Sequence, residues 1–94
     1  MKLTMYTDPG HGWVRVKRDT LVKLDIADDI SIYSYQRGEY VYLEEDRDLA
    51  VLSRALELVG KKLELVQRHT NRSSKIRSYS CYAYKNPQPT IEVN

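Results

Sequence analysis

Ile30-Ser31-Ile32-Tyr33-Ser34-Tyr35-Gln36-Arg37-Gly38-Glu39-Tyr40-Val41-Tyr42-Leu43-Glu44 is the stretch on which the fold of this 94-residue chain turns. Residues 30–35 and 40–44 alternate with the two-residue period of a strand. Gln36-Arg37-Gly38-Glu39 lies between them as a tight turn, with Gly38 placed to take positive φ. The hairpin sets Tyr35 opposite Tyr40 and Tyr33 opposite Tyr42. One face is then a ladder of four tyrosines. The other carries Ile30, Ile32, Val41 and Leu43, an aliphatic set suited to a core.

Upstream, Lys2–Thr7 and Trp13–Lys17 alternate in the same way around Asp8-Pro9-Gly10-His11-Gly12, a segment dense in turn formers. These read as a second hairpin. A short helix is expected over about 19–26, capped by Asp19 or Thr20, with Leu21, Val22, Leu24 and Ile26 supplying its apolar side. Downstream, Leu49, Leu52, Leu56 and Val59 follow helical spacing, and Gly60 stands where a C-cap is needed. The main helix is therefore expected over about 48–60. Lys62–Thr70 reads as a strand, and Lys75–Lys85 as a long, polar, tyrosine-bearing one. The order β-β-α-β-β-α-β-β predicts a single small α+β domain over residues 1–85, with a mostly antiparallel sheet and one main helix. Residues 86–94 carry two prolines, which cannot donate to a ladder, and read as an extended tail.

The composition is 41% hydrophobic and 30% charged, as expected for one folded domain rather than a disordered chain. No apolar run reaches the roughly 18 residues of a spanning helix, so no membrane partner is expected. Met1–Thr7 holds no apolar stretch of signal-peptide length. The net charge of +2 decides nothing, but its distribution does more. Residues 1–60 hold eight basic and eleven acidic side chains, and residues 61–94 hold seven basic and two acidic. Such asymmetry hints at an anionic partner.

Two candidate surfaces follow. Tyr33, Tyr35, Tyr40 and Tyr42, with Arg37 at the hairpin tip, offer amphipathic contact area for a protein partner. Arg68, Arg72, Lys75, Arg77 and Tyr79 offer a basic strip with a stacking residue for nucleic acid. The acidic run Glu44, Glu45, Asp46 and Asp48 lacks the spacing and glycine of a calcium loop, and a helix N-terminus accounts for it. No metal or cofactor is expected from it. His11 and His69 suggest a third reading, a small phosphodiester-cleaving enzyme, since imidazole titrates near neutrality. They have no linking motif, however, and no nucleophile signature accompanies them. Cys81, the single cysteine, is expected to be buried and inert.

Tyr6-Thr7-Asp8-Pro9-Gly10-His11-Gly12-Trp13, Ser34-Tyr35-Gln36-Arg37-Gly38 and Tyr42-Leu43-Glu44-Glu45-Asp46 resemble segments of a family of small proteins carried by bacteriophages and plasmids. The resemblance extends to Arg77-Ser78-Tyr79 and stops before the last dozen residues. It carries no catalytic assignment. It implies an accessory protein of a mobile element, acting in the cytoplasm of a bacterial host. Such a protein is expected to bind a host protein or complex, with inhibition of a defence system as one outcome, and is not expected to be an enzyme. A homodimer through the tyrosine face or a sheet edge is also open.

Overall fold

The computed structural model describes residues 1–84. Its elements are β1 (Lys2–Thr7), β2 (Gly12–Lys17), α1 (Arg18–Lys23), a 3-10 helix (Ala27–Asp29), β3 (Tyr35–Arg37) and β4 (Tyr40–Glu44). These are followed by α2 (Asp48–Leu58), β5 (Glu64–His69), a second 3-10 helix (Lys75–Ser78) and β6 (Ser80–Cys81). One six-stranded sheet runs in the order β5-β1-β2-β4-β3-β6. Every pairing is antiparallel except β1 with β5. The fold is the expected α+β domain with one main helix. The proposed tail at 86–94 lies outside the described residues. Among the described residues no helix is long and apolar enough to cross a membrane.

The two faces of the sheet differ as strand alternation demands. One presents Met5, Val14, Val16, Val41 and Leu43, which are buried with Leu21 of α1 and with Leu52 and Leu56 of α2. Leu49 and Ala55 widen the stripe of α2 on the same core. The helix ends at Leu58, two residues before the positive φ of Gly60. The short helix starts at Arg18 and stops at Lys23, where Asp25 takes a positive φ and the 3-10 helix continues the turn.

The central hairpin departs from expectation in register. Its loop is the two-residue turn Gly38-Glu39, with φ +58 at Gly38 as the first central residue of a type II′ turn requires. Tyr35 therefore faces Tyr42, and Arg37 faces Tyr40. The shift is two residues, so each side chain keeps its face but Tyr33 loses its place in the ladder. The reason is chemical. Ser31 and Ser34 both donate hydroxyl bonds to Asp48, and the Ser31 N–H bonds the same carboxylate, wrapping residues 31–34 around the start of α2. Ile32 and Tyr33 are left on the outside of that turn, 71% and 65% exposed, so Ile32 is not part of the core.

The expected strand over 75–85 is also corrected. Ser74 caps the 3-10 helix by accepting from the Ile76 N–H, and the chain then contributes only Ser80–Cys81 to the sheet edge. Cys81 is exposed rather than buried. Tyr82 is instead the buried residue there, its hydroxyl donating to the Ala27 carbonyl and its pKa pushed up by burial to about 12.

Candidate functional site

Among the described residues the second sheet face carries no covering α-helix, and it gathers most of the candidate residues. Cross-strand register sets Arg68, Tyr6, Trp13 and Glu44 in one row. Val66, Thr4, Arg15, Tyr42, Tyr35 and Cys81 form the next, and Lys17, Tyr40 and Arg37 a third. Arginines lie over the tyrosine rings. Arg15 Cζ stands 4.6 Å from the Tyr40 ring centre and 5.8 Å from that of Tyr6, and Arg37 Cζ is 5.1 Å from that of Tyr79. Tyr42 is buried beneath this layer, its ring centre 5.1 Å from that of Tyr79. Burial raises its pKa, with Tyr79 adding to the shift and Arg15 opposing it, so the phenol is neutral at pH 7.

At one end the face is closed by a smaller core of Trp13, Tyr42 and Ile76. The anchor is Asp8, whose buried carboxylate accepts from the N–H groups of Gly10, His11 and Ser74 and from Nε and Nη2 of Arg77. Arg77 then lies over Trp13, its Cζ 5.2 Å from the ring centre. A Cβ at Gly10 would come within 2.9 Å of Arg77 Nη2, so a side chain there would have to push the guanidinium off its place on Asp8.

Arg77, then the Ser74 N–H, holds the Asp8 carboxyl well below the usual carboxylate range, and Asp8 in turn raises the Arg77 pKa. With the folded value below the unfolded one, the stability Asp8 contributes is complete above about pH 4 and is lost as pH falls through the folded value. In urea titrations between pH 5 and pH 2, Asp8→Asn should be less stable than the native chain at the upper end and decline less steeply. Parallel curves would remove the ion pair from the account.

A cleft of about 640 Å³ opens beside this core, lined by His11, Trp13, Tyr33, Tyr35, Glu44 and Arg77 among others. Trp13 is 1% exposed, edge-packed on His11 and Tyr35. Its indole Nε1 is the one buried side-chain polar atom without a partner among the described residues. Glu44, also buried, accepts from the Asp46 and Arg47 N–H groups and lies 3.5 Å from His11 Nε2.

The two candidate sets thus meet in part. Tyr35, Arg37, Tyr40 and Tyr42 share the open face with Arg68, and Tyr79 lies against Tyr42 and Arg37. Tyr33 stands apart on the exposed turn. Arg72 and Lys75 are exposed, in the turn after β5 and at the start of the second 3-10 helix, and Arg77 is committed to Asp8. The basic strip is therefore not one strand face. Tyr6, Arg15 and Lys17 also belong to this face, and their alternation with Met5, Val14 and Val16 is the sequence signal for it. His69 bonds Thr7 Oγ1 and Asn71, and His11 engages Glu44, so each histidine has its own neighbours. No family model, curated protein or solved structure matches the chain.

Proposed function

We propose that this chain is a non-enzymatic binding protein that holds a single strand of nucleic acid on its open sheet face. One observation carries the reading: Lys2, Arg15, Lys17, Arg37 and Arg68 surround Tyr6, Tyr40 and Tyr79 there, against Glu64 as the one exposed carboxylate of the strand rows. Cations that track phosphates beside rings that stack on bases are what a single strand needs, and neither feature reads sequence. The three tyrosines are half-buried, so they offer ring faces beside the cations.

Fluorescence anisotropy with a labelled thymidine oligonucleotide tests it. Affinity should fall as salt rises, with a slope of about −0.7 per phosphate neutralised. Arg15→Ser combined with Arg37→Ser should weaken binding at least tenfold and flatten the slope by about 1.4, two phosphates' worth. Tyr40→Leu should weaken it with the slope unchanged. No binding at low salt, or binding indifferent to salt, defeats the proposal.

A second reading, favoured by the exposed pair Ile32 and Tyr33, is docking on a host protein or complex. Two large apolar side chains on one turn beside a cleft suit a protein anchor. The resemblance to proteins of mobile elements supports an accessory role of that kind, including inhibition of a defence system. Retention of a host protein after nuclease treatment, lost in Ile32→Ser with Tyr33→Ser, would favour it over the strand.

A further inference from the structure

From the cleft at the end of the open face we infer a site for a divalent transition-metal ion, held by His11 Nε2 and the carboxylates of Glu44 and Asp46. The ligand atoms of these three side chains lie within 4.8 Å of one another. His11 Nε2 and Glu44 Oε1 are 3.5 Å apart. Two ligands at about 2.0–2.2 Å from a tetrahedral ion sit roughly 3.3–3.6 Å from each other, so this pair already has the required bite. Asp46 is exposed and has room to close the remaining distance.

The hydrogen bonding of the imidazole fits the assignment. His11 Nδ1 lies 2.9 Å from the Gly10 carbonyl, which can only accept, so Nδ1 carries a proton. With Nδ1 so engaged, Nε2 faces a Glu44 carboxylate oxygen, and either a second ring proton or a bound cation satisfies both atoms. A ring N–H given to a backbone carbonyl is also the usual support of a metal-bound histidine. The loop that presents His11 is set by Asp8, through the bonds from the Gly10 and His11 N–H groups.

The second, independent observation is Trp13. Its ring forms part of the wall of the same cleft, packed against His11, and its buried indole N–H has no acceptor among the described residues. A buried donor left unpaired is costly, and a metal-bound water or anion would satisfy it once a small shift of the cleft wall opened Nε1 to it. One imidazole with two carboxylates suits manganese, iron, cobalt or zinc better than magnesium or calcium, which favour all-oxygen shells. The site does not depend on the sheet-face reading, because none of its three ligands is among the cations and tyrosines that carry that reading.

Trp13 is the chain's single tryptophan, so its fluorescence reports on this cleft alone. The metal-free protein is titrated with cobalt(II) at pH 7. Expected is saturable one-to-one quenching, shifted at least tenfold to higher cobalt by His11→Ala and by Asp46→Asn. His69→Ala and Cys81→Ser should leave the curve unchanged. Asp46→Asn, an exposed substitution, keeps the test valid if His11→Ala perturbs the loop. No saturable quenching up to about 1 mM cobalt, quenching that survives both ligand substitutions, or dependence on His69 or Cys81 would overturn the site.

Discussion

Asp48→Ala is expected to remove roughly 3–4 kcal/mol of folding stability, since it strips the acceptor from three donors at once. The Ser31 N–H, the Ser31 hydroxyl and the Ser34 hydroxyl all end on this one carboxylate. Both Asp48 and Ser34 are fully buried, so water does not replace the lost partner at Ser34. Ser34 is also the acceptor of the Glu44 N–H, and its carbonyl accepts from the Tyr82 N–H. Through Ser34, which Asp48 holds in place, the β4 end, the α2 start and the C-terminal segment are tied together. Against a total of about 5–15 kcal/mol for a small domain, the loss is a large fraction. Asp48→Asn keeps the shape and one acceptor oxygen and should cost about half as much. Urea unfolding followed by circular dichroism reads both. A change below about 1 kcal/mol for alanine would mean that the serines find other acceptors and that the turn at 31–34 is held by something else.

Trp13→Ala should cost about 3–5 kcal/mol, the range for deleting a large buried aromatic side chain. The loss goes beyond area. Arg77 would have no ring beneath it, and the edge contacts of His11 and Tyr35 would be gone. Trp13→Phe keeps most of the contact and removes the unpartnered N–H, so it should cost far less, about 1 kcal/mol. Circular dichroism must follow unfolding here, because the substitution deletes the fluorophore. Asp48 and Trp13 bond or stack with no common residue, so their effects should add. A Trp13→Ala cost below about 1.5 kcal/mol would show that the smaller core contributes little.

The parts of this fold that depend on neighbours in sequence could be read from the residues. The alternation in β1, β2 and β4, the helical stripe of Leu49, Leu52 and Leu56, and the need for glycine at position 38 are local properties. What escaped was set by side chains meeting across long separations. Ser31 and Ser34 answer to Asp48, 17 and 14 residues away, and that pull took Tyr33 out of the hairpin. Ser74 and Arg77 answer to Asp8, 66 and 69 residues away, which bends an apparently strand-like segment into a 3-10 helix. The open face was half visible for a related reason. Periodicity marked tyrosines and cations within each segment, but only the strand order could show that Arg15 and Arg37 sit in one layer with Tyr40 and Tyr79.

The parallel pairing of β1 with β5 has a consequence during synthesis. β2 emerges soon after β1 and can pair with it, and β4 can then pair with β2, but the other edge of β1 waits for residues 64–69. At translation rates of about 5–20 residues per second, the interval from residue 7 to residue 64 lasts roughly 3–11 s. Throughout it the nascent chain exposes an unpaired strand edge carrying Leu3 and Met5, the kind of template on which growing chains stick to one another. The finished protein hides that edge behind β5, whose six residues are all exposed, four of them polar (Glu64, Gln67, Arg68 and His69) beside Leu65 and Val66. The last strand to reach the sheet from this side is in effect a polar guard for the first.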